Sequence, residues 1–144
     1  MELGEVCKMK KLLLPIDGTK RSLQTIDWVL NNYNAKEVSV TLMMVADSMD
    51  VFEMKDKATS AQDYMMRTMK HDAQALINKG FDVSFDTEYG QAGDQIVKYA
   101  KKEAFDAIIM TKSTKEGWFS TIGSVTANVV KYASTLVMII PETK

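Results

Sequence analysis

Apolar residues recur along the chain in two alternating patterns, short continuous runs and stretches with a period near 3.6 residues. The runs have the length of β-strands, and four of the five are almost wholly apolar or β-branched, as strands buried on both faces of a sheet are. The fifth run, 83–89, alternates apolar with polar residues, which predicts a half-exposed strand near an edge. The five predicted strands are 11–16, 38–46, 83–89, 107–110 and 136–140.

Helical periodicity separates these runs. Each helical stripe predicts an amphipathic helix that packs its apolar side against a core. The first helix is expected to begin after Thr19 or Ser22, and the second to close at Gly80 in a left-handed conformation. The stripes comprise Leu23, Ile26, Val29 and Leu30; Met65, Met69, Ala73 and Leu76; Ile96, Val97 and Ala100; and Val125, Val129, Val130 and Ala133.

The regular alternation of strands and helices predicts an α/β fold, a doubly wound parallel sheet with helices on both faces. Ligands of such sheets bind at the carboxyl ends of the strands, where the strand order reverses. The sequence contains no repeat, low-complexity segment or linker. We therefore expect one domain over 1–144, with its core over about 8–141 and a loose leader at 1–7.

Composition narrows the class of protein. The 144 residues are 46% hydrophobic and 26% charged, with a net charge of −1, which is typical of a globular domain and gives no sign of a nucleic-acid partner. No apolar run approaches the roughly 18 residues of a membrane-spanning helix. A single cysteine, Cys7, fits a reducing compartment, so a cytoplasmic location is expected. A single histidine, His71, excludes a histidine pair or a Ser-His-Asp triad, and we expect no metal site in the protein itself.

The segment Gly123-Ser124-Val125-Thr126 stands where a loop becomes the fourth helix, beyond the fourth strand. The first turn of a helix has unpaired N–H groups and the positive end of the helix dipole. Glycine lets an anion approach the backbone, and serine or threonine adds a hydroxyl donor, so the segment fits a phosphate group. The alternative interpretation is that Ser124 only caps the helix.

Two other strand ends carry residues suited to a ligand. Pro15-Ile16-Asp17 ends the first strand, and the carboxylate of Asp17 suits a hydrogen bond from a ribose or an adenine amino group, or a metal ion. Alternatively, residues 17–19 form a turn, because Asp-Gly-Thr is favourable turn chemistry. Val45, near the end of the second strand, would line an adenine pocket or belong to the core.

These segments together resemble the universal stress protein family. The resemblance covers 8–141 and implies a five-stranded sheet of order 3-2-1-4-5. It also implies a homodimer that pairs the last strands, which agrees with an apolar run that would otherwise be an exposed sheet edge. The expected interface residues are Leu136, Val137, Met138, Ile139 and Ile140. The matching segments are 11–17, Gly90 with Ile96 and Ala100, 106–110, 123–126 and 135–141.

The resemblance also implies an adenine-nucleotide site. Nucleotide-binding members hold ATP with two glycines three residues apart, nine further residues, and then glycine followed by serine or threonine. Gly123-Ser124-Val125-Thr126 matches the end of this motif. Asp17 matches the family's acidic residue that contacts the adenosine part, and Val45 matches an apolar residue beside the adenine. Pro15 and Ile16 adjoin Asp17 and are included in the expected site.

The first half of the motif departs from the family pattern. Counting back from Gly123 places Met110 and Ser113 at the glycine positions, whereas aligning on the strand 107–110 places Thr111 and Thr114 there. We favour the second alignment, because strand register is harder to shift than loop length. Neither provides a glycine, so a side chain either narrows the path of the ribose and phosphates or donates a hydroxyl to a phosphate.

Two functions are compatible with this sequence. The favoured one is a dimeric stress-response or signalling module that binds ATP or a related nucleotide such as AMP, with or without Mg²⁺. The alternative is a dimeric stress or interaction protein whose degenerate phosphate loop binds no nucleotide. Slow ATP hydrolysis ranks last, because the sequence offers no general base and no second acidic metal ligand near the phosphates. No nucleic-acid or membrane partner is expected.

Overall fold

The computed structural model describes residues 9–46, 60–111 and 124–141 of the chain. The five apolar runs form strands, and the ends of each lie within one residue of the predicted ends. The expected leader at 1–7, Thr114 and Gly123 lie outside the described residues. The strands are β1 (Lys10–Pro15), β2 (Val38–Ala46), β3 (Asp82–Tyr89), β4 (Ala107–Thr111) and β5 (Leu136–Ile140).

The five strands form one parallel sheet of order β3-β2-β1-β4-β5, which confirms the predicted topology. β1 lies in the centre, with β2 on one side and β4 on the other. The strand order therefore reverses at β1, and the carboxyl ends of β1, β2 and β4 are the expected place for a ligand. β3 lies at one edge and its side chains are exposed or half-buried, as its alternating pattern predicted.

Helices cover both faces of the sheet. Successive residues of the central strands point to opposite faces, and both sets are apolar, so both faces need to be buried. Leu12 and Leu14 pack with the helices that precede β3 in the chain, whereas Leu13 packs on the other face with the helices that follow β3. None of the helices in the described part of the chain is long and apolar enough to cross a membrane. The helices are α1 (Leu23–Asn32), α2 (Ala61–Asp72), α3 (Gln74–Asn78), α4 (Ala92–Lys102) and α5 (Ser124–Tyr132).

The second helical stripe differs from its prediction, since it spans two helices. At Ala73 the backbone adopts φ −78° and ψ −8°, and α2 ends there before α3 begins. The apolar stripe continues through this bend, with Met69, Ala73 and Leu76 all buried. Gly80 then closes the segment at φ +87°, as the sequence predicted. The N–H of Phe81 donates to the carbonyl of Leu76 at 3.1 Å.

The fourth stripe was predicted wrongly in part. Val125 is 37% exposed and Val130 is 50% exposed, so neither belongs to the core. The buried side of α5 instead carries Thr126 and Val129, and Ala133 packs partly against them. A prediction from apolar residues alone gives the wrong buried side of α5, because Thr126 is a polar residue at a buried position.

Candidate functional site

Three apolar residues predicted for the site share one face and one end of the sheet. Leu13 pairs with Ile108 across β1 and β4, so two residues further on Pro15 lies level with Met110. Side chains alternate along a strand, which places Pro15 on the same face as Leu13. Met110 is buried there and Val45 of β2 packs partly against the same cluster. These residues form an apolar floor, defined as Pro15, Val45 and Met110, beneath the amino ends of α4 and α5.

Two other predicted site residues direct their side chains to the opposite face of the sheet. Ile16 is buried in the core on the α1 side of the sheet, and its N–H donates to the carbonyl of Met43 at 2.9 Å. Thr111 follows Met110 in β4 and therefore lies on that opposite face. Thr126, by contrast, is buried on the same side of α5 as Val129, which packs in the cluster that contains Met110.

Asp17 lies just beyond β1 in the tight turn that was one of its two predicted roles. Its Oδ1 accepts hydrogen bonds from the N–H of Thr19 at 2.9 Å and from the Thr19 hydroxyl at 2.6 Å. Gly18, with φ +82°, supplies the left-handed conformation that this turn requires. The side chain of Asp17 is 55% exposed, and Oδ2 lies 3.6 Å from Nη2 of Arg21. The turn thus leaves the carboxylate accessible.

The turn also keeps Asp17 ionised. Partial burial raises the pKa of its carboxyl, but the hydrogen bonds from Thr19 and the Arg21 guanidinium together outweigh burial. The net effect is a pKa below the ordinary value, so the carboxylate carries its charge at neutral pH. An ionised carboxylate accepts hydrogen bonds from hydroxyl or amino groups and repels phosphate.

The amino end of α5 favours a negative charge, whereas Asp17 repels one. Ser124 and Val125 are exposed at its start, where backbone N–H groups lack helical partners. The first turn of α5, from Ser124 onwards, contains no acidic residue, whereas α4 carries Asp94 in its first turn. The positive end of the α5 dipole is therefore not neutralised from within its own first turn. An anionic group is favoured at this position.

Sequence reasoning missed the contribution of α4 to this edge of the sheet. The N–H of Gly90 donates to the carbonyl of Ala46 at 2.8 Å, which ties the start of the α4 segment to the end of β2. Gly93 is buried in the first turn of α4, against Asn128 of α5. A glycine within a predicted helix was the available signal, because such a residue costs helix stability unless close packing requires it.

An acidic cluster lies at the β3 edge of the sheet, and we define it as Asp86 and Glu88 of β3 and Glu103 at the end of α4. Burial, the hydrogen bond with Glu88 and the charges of Glu88 and Glu103 raise the pKa of Asp86 to about 7, against the opposing effect of Lys102. Burial and the same three carboxylates raise the pKa of Tyr99 to about 12. Within the described residues, no group of three or more His, Cys, Asp or Glu side chains is arranged to hold a metal ion.

β5 forms the second candidate surface, at the edge of the sheet opposite β3. It pairs with β4 on one side, and no other described strand lies on its second side. Leu136 is 64% exposed, and the strand buries only Ile140 fully. Val137 and Ile139 pack partly against the α4–α5 side of the sheet, whereas Met138 packs on the α1 side, where the Tyr33 hydroxyl approaches its sulfur at 3.9 Å.

The chain is similar to a known protein family and to several solved structures. The model of the universal stress protein family matches residues 8–141. The solved structure of hypothetical protein MJ0577 is 26% identical, with a TM-score of 0.77 over 94% of this chain and 97% of that one. No curated protein sequence matches the chain.

Two further solved structures share the fold at lower identity. A universal stress protein family protein from Arabidopsis thaliana with AMP bound is 16% identical, with a TM-score of 0.75 over 93% of this chain and 92% of that one. The universal stress protein from Archaeoglobus fulgidus in complex with dAMP is 15% identical, with a TM-score of 0.67 over 93% of this chain and 98% of that one.

Proposed function

Because the chain belongs to the universal stress protein family, we propose that it binds an adenine nucleotide at the carboxyl ends of β1, β2 and β4. The observation that carries this proposal is the apolar floor at these strand ends, where the ionised Asp17 follows β1 and α5 packs on the same face of the sheet. An apolar surface with a few polar groups at its rim is the usual form of a small-molecule site. The AMP and dAMP complexes of the two relatives support an adenine nucleotide as the ligand.

The charges of Asp17 and of the amino end of α5 favour one orientation of the bound nucleotide. The adenine ring would lie on Pro15 and Val45, and the ribose hydroxyls or the adenine amino group would donate to Asp17. The phosphates would lie at the first turn of α5, with N–H groups of Ser124 to Thr126 and the adjoining Gly123 as donors. Repulsion from Asp17 disfavours the reverse orientation, because it would bring two anions together.

ATP and AMP are both candidate ligands within this proposal. Asp17 is the single carboxylate among the candidate site residues, and its Oδ1 already accepts two hydrogen bonds from Thr19. An Mg²⁺ ion at this site would therefore depend on phosphate oxygens of the nucleotide, which is a common mode of Mg²⁺ binding. The protein itself would supply orientation and exclusion of water.

We further propose a homodimer formed by β5. An unpaired strand edge with an exposed leucine is a template for pairing with another chain, and a second copy of β5 would satisfy both its backbone groups and its apolar side chains. In this arrangement the module would act in stress response or signalling, in the reducing cytoplasm that its single cysteine favours. Dimer contacts would lie within 136–140.

The alternative function is a dimeric interaction protein without nucleotide. One observation favours it, since neither alignment of the segment after β4, with Met110 and Ser113 or with Thr111 and Thr114, provides the glycines that binding members have. In that case the nucleotide site would be vestigial, and the β5 edge would carry the function.

Titration calorimetry and thermal shift with AMP and ATP, each with and without Mg²⁺, separate these functions. A nucleotide present at 100 times its Kd stabilises the folded state by about 2.7 kcal/mol, which raises the melting temperature. We expect saturable binding of at least one of the two nucleotides. Absence of both heat and thermal shift at millimolar nucleotide would refute the proposal and favour the interaction protein.

Ser124→Asp tests the phosphate position directly. An aspartate in the first turn of α5 favours the helix and so keeps the fold, but its charge repels phosphate. We expect about a tenfold or greater loss of AMP affinity, equivalent to 1.4 kcal/mol. Ala127→Asp is the matched control, because Ala127 is exposed on the same helix but lies beyond its first N–H groups. Equal effects of the two variants would place the phosphates elsewhere.

A further inference from the structure

Gly93 is a buried glycine inside a helix, and its neighbour on α5 explains it. Alanine is the better helix former, so glycine at this position requires a packing reason. A Cβ atom added to Gly93 would lie 2.8 Å from Cγ and Nδ2 of Asn128 and 2.9 Å from its Cβ. The Cβ of Asn128 is held by the α5 backbone, so a change of side-chain rotamer cannot relieve the contact. The two helices are therefore as close here as a glycine allows.

A hydrogen bond fixes the Asn128 side chain in this contact. Its Nδ2 donates to Oδ1 of Asp94 at 3.3 Å. Its Oδ1 is buried and has no hydrogen-bond partner among the described residues. Exchange of the amide oxygen and nitrogen would set an acceptor against a carboxylate, so the observed orientation is the favourable one. Asn128 is thus held against α4 although its oxygen is left unsatisfied.

This contact connects the two ends of the candidate nucleotide site. Asn128 follows Ser124 by four residues, one helical turn or about 6 Å along α5. On the other helix, Gly93 follows Gly90, whose N–H is bonded to Ala46 at the end of β2. β2 also carries Val45 of the apolar floor. The contact between Gly93 and Asn128 therefore sets the spacing between the adenine surface and the first turn of α5.

We propose that Gly93 and Asn128 are positioning residues, which hold the amino end of α5 at the distance from β2 that a nucleotide phosphate requires. The inference rests on the proposed function, since it concerns the geometry of the same site. Neither residue touches the nucleotide. They act through the first turn of α5, so their loss affects the phosphate end of the ligand rather than the adenosine end.

Calorimetric titration of the full chain with AMP and with adenosine tests the inference. Gly93→Ala forces the helices apart, so we expect the AMP affinity to fall about tenfold or more and the adenosine affinity to change by less than about threefold. Asn128→Ala removes the hydrogen bond to Asp94 without adding a clash, and we expect a smaller loss of AMP affinity. Addition of Asn128→Gly to Gly93→Ala removes the Cβ atom that would lie 2.9 Å from the new methyl group, so the double variant should match Asn128→Gly alone.

The outcomes separate the positioning role from a merely structural one and from the proposed function. General loosening of the fold would weaken adenosine and AMP equally, and this result would overturn the inference while nucleotide binding stands. Absence of rescue in the double variant would also overturn it. If Gly93→Ala does not fold, Asn128→Ala and the double variant still measure the split between AMP and adenosine. A wild-type protein that binds neither ligand refutes the proposed function itself, and the positioning role with it.

Discussion

The acidic cluster of Asp86, Glu88 and Glu103 predicts that the protein loses stability as pH rises towards neutrality, and that Asp86→Asn prevents the loss. Oδ2 of Asp86 is buried without a hydrogen-bond partner in the part of the chain that the structure describes. Burial and the neighbouring Glu88 and Glu103 favour the neutral carboxyl and raise the pKa of Asp86 to about 7 from 3.8. The folded state therefore retains a proton that the unfolded chain has released.

The sign of the effect follows from these two pKa values. The stabilisation by the proton on Asp86 is complete below the unfolded pKa of 3.8, declines as pH rises, and is lost once pH exceeds the folded pKa of about 7. The difference of about three pKa units corresponds to at most ~4 kcal/mol. Solvent at the partly exposed cluster screens the repulsion, so we expect about 1–2 kcal/mol. An amide at this position keeps a donor for Glu88 and cannot ionise.

Urea unfolding followed by circular dichroism between pH 4 and pH 8.5 measures the effect. The Asp86→Asn variant should exceed the wild type in unfolding free energy by about 1–2 kcal/mol above pH 7 and match it near pH 4. Protein concentration is held constant, because the unfolding midpoint of any oligomer depends on its concentration. Asp82→Asn is the matched control on the same strand, since Asp82 is exposed and its substitution should leave the pH profile unchanged. A gain in unfolding free energy that is independent of pH, or no gain at pH 8, would refute the argument that folded Asp86 retains a proton.

Three further predictions concern the core, a turn and the sheet edge. Leu14→Ala should lower the unfolding free energy by about 2–5 kcal/mol in a urea titration, because Leu14 is fully buried in the central strand; a loss below 1 kcal/mol would contradict its core position. Gly80→Ala should cost about 1 kcal/mol more than Lys79→Ala in the same titration, since Gly80 has φ +87°. Leu136→Glu should give a folded monomer in analytical ultracentrifugation, whereas Ile77→Glu, at another exposed apolar position, should leave the dimer intact. A wild-type monomer would refute the β5 interface.

The strands were the most predictable part of the fold. Continuous apolar runs bounded by polar residues mark the length of a strand, so β2 and β5 were located to the residue. The helices were less predictable, since periodicity records which residues are apolar and not how the backbone bends. The bend at Ala73 and the burial of Thr126 in place of Val130 both depend on packing against the sheet.

The candidate site was predictable where it depends on strand geometry alone. Once the topology is known, parity along each strand places Pro15, Val45 and Met110 on one face. The contact of Gly93 with Asn128 was not predictable, because it depends on the separation of two helices whose residues are far apart in sequence. The raised pKa of Asp86 likewise depends on burial beneath α4, which alternating residues in β3 do not reveal.

The central position of β1 has a consequence for synthesis of the chain. β1 is the first strand to leave the ribosome, and it pairs with β2, which ends at Ala46, and with β4, which ends at Thr111. The 65 residues between these two positions take roughly 3–13 s to translate at about 5–20 residues per second. During those seconds the apolar β1 has one neighbour only, and its other edge is open to pairing with foreign chains. The nascent protein is therefore most prone to aggregation before its fourth strand emerges.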